Sequence, residues 1–223
     1  MIRFRLFGFP VTVEPWHWAI LAFCGDALGI KESEDLLPVL LFMAAGVVSI
    51  LIHEIGHALT MRLFGGRHIS IVLHGWGGQA ASQGASFSRG QHILISLAGP
   101  LLQLACGLVV LIAVIMSAAT SSGSTVLEAS PVYELLSSFI EVSLFWAVLN
   151  LIPVYPMDGG QILRGILGPR RIQLTFQISI IVAIFVGVLG LIYLGRFLLP
   201  IFMVFFAVEN YKALKRTRAP GGW

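Results

Sequence analysis

The segment Leu36–Phe64 is predominantly apolar and is followed directly by Gly65 and Gly66. About 20 apolar residues are enough for a helix to cross a bilayer. The whole chain has a similar character, with 57% hydrophobic and only 11% charged residues, whereas soluble domains carry about 25% charged residues. This composition predicts an integral membrane protein and excludes an ordinary soluble domain.

Three ionisable residues lie inside this apolar segment, because His53, Glu54 and His57 form the run H-E-I-G-H. Ionisable groups at bilayer depth cost roughly 2.5–3.5 kcal/mol each on insertion scales, so three of them call for a functional explanation. Histidines four residues apart project from one helix face and can bind one zinc ion. Zinc lowers the pKa of a bound water toward about 7, and a neighbouring carboxylate can accept its proton. The run predicts an intramembrane zinc metalloprotease, with Glu54 as the base.

A third metal ligand is expected, because catalytic zinc usually has three protein ligands. The run N-L-I-P-V-Y-P-M-D-G-G over residues 150–160 ends a later apolar segment. Pro153 and Pro156 break the helix there, and Gly159-Gly160 permits a tight turn, so Asp158 is presented from irregular backbone. Such backbone at membrane depth is buried in protein or lines a cavity. We predict that Asp158 is the third ligand; the alternative is an ordinary aspartate that caps the next helix.

Apolar segments of sufficient length indicate about six transmembrane helices and an all-α polytopic fold. The first is weak, because it contains Glu14, His17 and Asp26. Between the second and third, Arg67–Phe87 partly alternates and turns at Gly75–Gly78, which predicts a short β-hairpin. The predicted spans are Val11–Ile30, Leu36–Phe64, Ser88–Ala119, Val132–Ile152, Ile172–Leu194 and Phe197–Leu214.

The basic residues indicate how the chain is oriented. Counted on alternate sides of the six predicted spans, twelve of the 14 Lys and Arg residues fall on one side and only Lys31 and Arg196 on the other. By the positive-inside rule, both termini and the hairpin are predicted to be cytoplasmic, in a multi-pass protein of the cell membrane. His57 precedes Gly65 by eight residues, so the site is expected inside the bilayer but nearer the cytoplasm.

The two motifs together resemble those of the site-2 protease family of intramembrane zinc metalloproteases, H-E-x-x-H and N-x-x-P-x-x-P-x-D-G. By that resemblance His53, His57 and Asp158 would bind one Zn2+ per chain, Glu54 would be the catalytic base, and Asn150 would hold the substrate backbone or the developing oxyanion. The resemblance implies a zinc endopeptidase that cleaves a transmembrane segment of a membrane-tethered protein near the cytoplasmic side, in regulated intramembrane proteolysis.

No PDZ or CBS domain is visible in the sequence, so we expect a single minimal catalytic domain over residues 1–218 and a disordered tail over 219–223. The expected partners are a membrane-spanning substrate and the lipid bilayer. Nucleic acid is excluded, because the basic residues are spread among short loops instead of forming one stripe. The sequence does not set the oligomeric state.

Several assignments stay open at this point. Gln103 stands where the family's third-span motif G-P-x-x-N has Asn, and it could contact substrate or form an interhelical hydrogen bond. Glu141 lies in the middle of a span and could pair across helices, face a water cavity or take part in gating. Glu209 and Asn210 could face the active site or make interfacial contacts. A non-cleaving zinc-binding module and a metal transporter are the rival functions.

Overall fold

The computed structural model describes residues 1–120, 130–194 and 197–218, and most of them are helical. Short 3-10 turns at Ala27–Gly29, Ser33–Asp35 and Pro169–Arg171 connect some of the longer elements. In chain order the strands and helices are β1 Ile2–Leu6, β2 Phe9–Val13, α1 Pro15–Cys24, α2 Leu36–Leu63, β3 Ser70–His74, β4 Gly77–Ala81, α3 Arg89–Thr120, α4 Pro131–Leu151, α5 Asp158–Leu167, α6 Ile172–Leu194 and α7 Leu198–Arg218.

The predicted hairpin is confirmed, and it belongs to a larger sheet that the sequence analysis missed. The strands lie in the order β1-β2-β3-β4. The outer pairs are antiparallel, and the central pair β2–β3 is parallel, with Val11 opposite Ile71. One face of the sheet packs on α2, and the buried core there consists of Phe9, Val11, Val13, Leu21, Ile50, Ile55, Ala58, Ile69, Ile71 and Leu73.

The first predicted span, Val11–Ile30, is wrong as a transmembrane helix. Its first residues, Val11–Val13, belong to β2, and its helical part is only the ten residues of α1. Ten residues rise about 15 Å, half of the roughly 30 Å hydrocarbon core. Glu14 separates the strand from the helix, which begins at Pro15, and Gly25 ends the helix.

Residues 14–35 nevertheless run back along α2. Gly25 packs against Phe42, and Gly46 packs against Leu21, so α1 lies antiparallel to the first half of α2. At both glycines a Cβ atom would overlap the opposing side chain. Because β2, which precedes α1, and β3, which follows α2, belong to one sheet, the path out along α1 and back along α2 begins and ends beside the C-terminal end of α2. The N-terminal strands therefore lie on the same side as the β3–β4 hairpin.

Four helical segments in the described part of the chain are long and apolar enough to cross a membrane: Ser33–Leu63, Arg89–Ala119, Pro131–Leu151 and Pro169–Tyr193. They correspond to the second to fifth predicted spans. The sixth predicted span is a helix, α7, but it is not among these four, because Glu209, Lys212 and Lys215 lie in its second half. The membrane crossing of α7 stays a prediction.

The described residues form two compact units, one containing residues 1–86 and 98–148 and the other containing 87–97 and the chain from 149 onward. In the second unit α6 packs on α7 through glycines, Gly187 on Met203 and Gly190 on Leu199. Arg89 donates hydrogen bonds to the carbonyls of Gly165 and Ile166 at the end of α5. The prediction of a single domain stays a prediction, and the predicted tail, 219–223, lies outside the described residues.

Candidate active site

His53, Glu54 and His57 lie together in the interior of the first unit, with exposed fractions of 3%, 3% and 7%. Their helix, α2, places the two imidazoles one turn apart on the same face. The Nε2 atoms of His53 and His57 are 3.0 Å apart, and the rings meet edge to face. Ligand atoms of all three side chains lie within 4.8 Å of one another. The H-E-x-x-H run therefore forms the compact donor cluster that its spacing predicts.

Glycines allow backbone from other elements to approach this cluster closely. Gly56, inside the H-E-x-x-H run, faces the carbonyl of Ala98 on α3, and the next residue, Gly99, faces the imidazole of His57. Gly78 on β4 faces the carboxylate of Glu54. A Cβ atom at any of these glycines would overlap its neighbour. Small residues at helix crossings let backbones approach in this way in membranes, and here they bring α3 and β4 against the site.

Gln103 on α3 connects the cluster to a buried chain of hydrogen bonds. Its side chain is 0% exposed. Its Oε1 lies 2.9 Å from Nδ1 of His53, and its Nε2 donates to Oγ of Ser49 at 2.9 Å. Ser49 is in turn 2.8 Å from the hydroxyl of Ser143 on α4. The interhelical hydrogen bond that the sequence left open for Gln103 is therefore formed.

This contact selects one tautomer of the His53 ring. An amide oxygen can only accept a hydrogen bond, so Nδ1 of His53 carries the proton and Nε2 keeps its lone pair. A metal-binding histidine usually donates its other N–H in this way, which fixes the tautomer and orients the ring. Gln103 is thus a positioning residue for His53, and its partner was missed because the two residues are 50 positions apart.

The donor set fits zinc. Nitrogen from histidine and oxygen from a carboxylate are ligands that zinc accepts, at roughly 2.0–2.2 Å. The Nε2 atoms of His53 and His57 are 3.0 Å apart, so they can share one proton or bind one cation together. Among the residues that the structure describes, His53, Glu54 and His57 are the group of three or more such side chains that is close enough to hold a metal ion.

The other two predicted site residues, Asn150 and Asp158, lie in the second unit. Asn150 is in the last turn of α4, and Asp158 is the first residue of α5. The N-cap position of α5 is Met157, and Asp158 is the acidic residue of its first turn. Both side chains are half-buried. Their roles as metal ligand and substrate contact stay predictions.

The segment between Asn150 and Asp158 is held by side chains that the sequence analysis did not connect with it. The N–H of Tyr155 donates to Oγ of Ser179 on α6 at 3.0 Å, and Nδ2 of Asn210 on α7 donates to the carbonyl of Tyr155. Ser179 and Asn210 are both buried. In the sequence these two residues were recognisable only as polar residues in apolar helices. In the structure they form hydrogen bonds with the backbone of the non-helical segment around the two prolines.

Comparison with protein families and curated proteins points in one direction. The model of peptidase family M50 matches residues 117–194. A zinc metalloprotease of Methanocaldococcus jannaschii is 29% identical over 172 residues, which are 75% of this chain and 45% of that protein. A putative zinc metalloprotease of Synechocystis is 27% identical over 169 residues, 72% of this chain and 42% of that protein. The chain thus spans less than half the length of these relatives.

A solved structure extends the likeness to nearly the whole chain. The site-2 protease from Methanocaldococcus jannaschii matches with a TM-score of 0.65 and 25% sequence identity. The match covers 96% of this chain and 94% of that one. It therefore includes both the H-E-x-x-H helix and the segment that leads to Asp158.

Proposed function

We propose that this chain, which belongs to the site-2 protease family of zinc metalloproteases, is an intramembrane endopeptidase that cleaves a transmembrane segment of another protein. The observation that carries the proposal is the buried cluster of His53, Glu54 and His57 on an apolar helix. A protein that only needed a stable fold would avoid three ionisable groups at this depth.

The cluster provides the parts of a hydrolytic site. His53 and His57 would hold zinc, with Asp158 as the third ligand, and when bound the metal would supply Lewis acidity and lower the pKa of water. Glu54 is beside the histidines and accepts the proton of the attacking water, then returns it to the leaving amine. Gln103 keeps the His53 lone pair directed at the site. Asn150 holds the substrate carbonyl as negative charge develops on its oxygen.

The substrate must be unwound locally, because the peptide bonds of a helix are shielded by their own hydrogen bonds. Strand β4 offers a template for extended chain. It is an edge of the sheet, and its Gly78 lies against the carboxylate of Glu54. A peptide added beside β4 would gain main-chain hydrogen bonds next to the proposed base. We therefore assign substrate alignment to β4.

The cut is proposed to lie near the cytoplasmic side, in regulated intramembrane proteolysis, with both termini in the cytoplasm. One sheet contains both the N-terminal strands and the β3–β4 hairpin, which agrees with their lying on the same side of the membrane. The excess of Lys and Arg on that side supports its being the cytoplasm. Cysteine labelling of Arg67→Cys and Lys31→Cys in intact cells tests this proposal. Labelling of Arg67→Cys, but not Lys31→Cys, from outside would reverse the orientation and the proposed side of the cut.

Proteolysis is tested with purified protein in liposomes and a tethered transmembrane substrate. We expect two product fragments, loss of cleavage after zinc removal by a chelator, and recovery when zinc is returned. A non-cleaving module would bind zinc and leave the substrate intact. A metal transporter would move zinc across the liposome membrane without cleaving, and either result would overturn the proposal.

A further inference from the structure

Glu141 presents a carboxylate on the exposed face of the apolar helix α4, away from the protein interior. It lies in the middle of α4, ten residues from Pro131 and ten from Leu151, so it is about 15 Å from either helix end. Its side chain is exposed, on a stripe shared with Ser137, Phe145 and Val148, which are also exposed. Carboxylates at such depth normally face a partner or a polar cavity instead of lipid.

The carboxylate opens into a groove between α3 and α4. The groove has a volume of ≈ 240 Å³ and is lined by Leu111, Val114, Tyr133, Ser137, Ile140 and Glu141. Two hydroxyl groups and one carboxylate are therefore set in apolar walls. No described residue forms a hydrogen bond or ion pair with the Glu141 side chain. The groove thus has the composition of a site for an apolar helix that carries one polar group.

The missing partner of Glu141 is a group that donates hydrogen bonds or carries positive charge. The four apolar helical segments that the structure describes offer no lysine or arginine at that depth in a second copy of this chain. In the four apolar helical segments, these residues lie only in the end turns, at Arg62, Arg89, Arg170 and Arg171. A symmetric pair of chains that met through this stripe would also bring two carboxylates together. A basic counter-charge at this depth therefore points to a different protein.

We propose that this groove binds a transmembrane helix of another membrane protein, with a basic side chain at mid-bilayer depth opposite Glu141. The face of α4 that would bind this helix is separate from the proposed active site. Ser143, two residues further along α4, is buried and belongs to the chain of hydrogen bonds that reaches His53. Residues two apart on a helix project about 200° from each other, so Glu141 lies on a different face of α4 from Ser143. The bound protein is therefore an accessory subunit and not the segment being cut.

The test uses full-length protein in phosphatidylcholine vesicles and two synthetic leucine-rich transmembrane helices. One helix has a single central lysine, and the other has leucine at that position. Binding is followed by energy transfer from a labelled protein to a labelled helix. We expect the lysine helix to bind about tenfold more tightly, the difference expected for one good polar contact in a bilayer.

Two variants show whether Glu141 causes the preference. Glu141→Leu should remove it, and Glu141→Gln should weaken it. Glu134→Leu replaces a carboxylate on the same helix that does not line the groove, and it should leave the preference intact. Zinc content and thermal unfolding report folding, and cleavage of a tethered substrate by Glu141→Leu should stay at the wild-type rate.

Three results would overturn the proposal. Equal binding of the two helices to the wild type would show that the groove does not select a basic group. A lysine preference that survives in Glu141→Leu would place the contact elsewhere. Energy transfer between copies of the protein that depends on Glu141 would make the face a self-association surface. None of these readouts depends on proteolysis, so they are independent of the function proposed above.

Discussion

The contact between Gln103 and His53 leads to a quantitative prediction. Gln103→Leu keeps a similar volume but removes both hydrogen bonds of the amide, to Nδ1 of His53 and to Oγ of Ser49. A buried donor left without a partner costs about 1–3 kcal/mol, so the free energy of unfolding should fall by that amount. Loss of the group that orients a metal-binding histidine typically weakens metal affinity by about 10–100-fold. We expect both effects in this variant.

Zinc affinity is measured by competition with a chelator of known affinity, and stability by denaturant unfolding in detergent. Ser143→Ala is the matched control, because it removes the Ser49–Ser143 hydrogen bond from the same hydrogen-bonded chain without altering the contact to His53. It should lower stability and leave zinc affinity unchanged. Gln103→Glu keeps an acceptor for His53 and should bind zinc nearly as the wild type does. Normal zinc affinity in Gln103→Leu, or an equal loss in Ser143→Ala, would refute the positioning role.

Three further predictions concern the ligands, the edge strand and the segment that leads to Asp158. His53→Ala, His57→Ala and Asp158→Ala should each abolish cleavage and reduce bound zinc on elemental analysis; full zinc occupancy in Asp158→Ala would move the third ligand elsewhere. Antiparallel alternation from the His74–Gly77 pair directs the N–H of Ala80 outward and that of Gln79 toward β3. Ala80→Pro should therefore impair cleavage with normal zinc content and stability, whereas Gln79→Pro should also destabilise the hairpin and Ala80→Ser should be nearly neutral; unchanged cleavage in Ala80→Pro would exclude strand addition. Asn210→Leu removes the amide bound to the Tyr155 carbonyl, so activity should fall while zinc binding by His53 and His57 persists, and wild-type activity would show that this anchor is dispensable.

The parts of the molecule that could be predicted from sequence are those governed by local periodicity. The four-residue spacing of His53 and His57 was sufficient to place both imidazoles on one face of α2. The alternation after Arg67 was sufficient for β3 and β4. The third predicted span begins at Ser88, and in the structure reciprocal hydrogen bonds between Ser88 and Gln91 form a capping box at the start of α3.

The N-terminal sheet was missed although a signal was present. Residues 2–6 read I-R-F-R-L, which alternates with the period of a strand, and Phe7-Gly8 makes the turn with positive φ at both residues. Because apolar residues follow Val11–Val13, these three residues were predicted to begin a transmembrane helix. Their true burial is explained by β3, a partner about 60 residues away. Pairing at such distances leaves no periodic trace that local pattern can detect.

The polar contacts around the site could not be predicted for a similar reason. Gln103 meets His53 because Gly56 and Gly99 let α2 and α3 approach closely. Asn210 meets Tyr155 because α7 packs in the second unit beside the segment that precedes Asp158. The sequence marked both residues as polar groups in apolar helices, but the partner of each depends on how the helices cross.

Glu54→Gln tests whether Glu54 is the base of a zinc-dependent protease. Glutamine keeps the shape and reach of the side chain but cannot accept the proton of the attacking water. Removal of general-base catalysis typically costs a factor of about 10²–10⁴ in rate. Cleavage of a tethered transmembrane substrate is measured together with zinc content. We predict a loss of that size with zinc fully bound, whereas cleavage at the wild-type rate with zinc intact would contradict the mechanism.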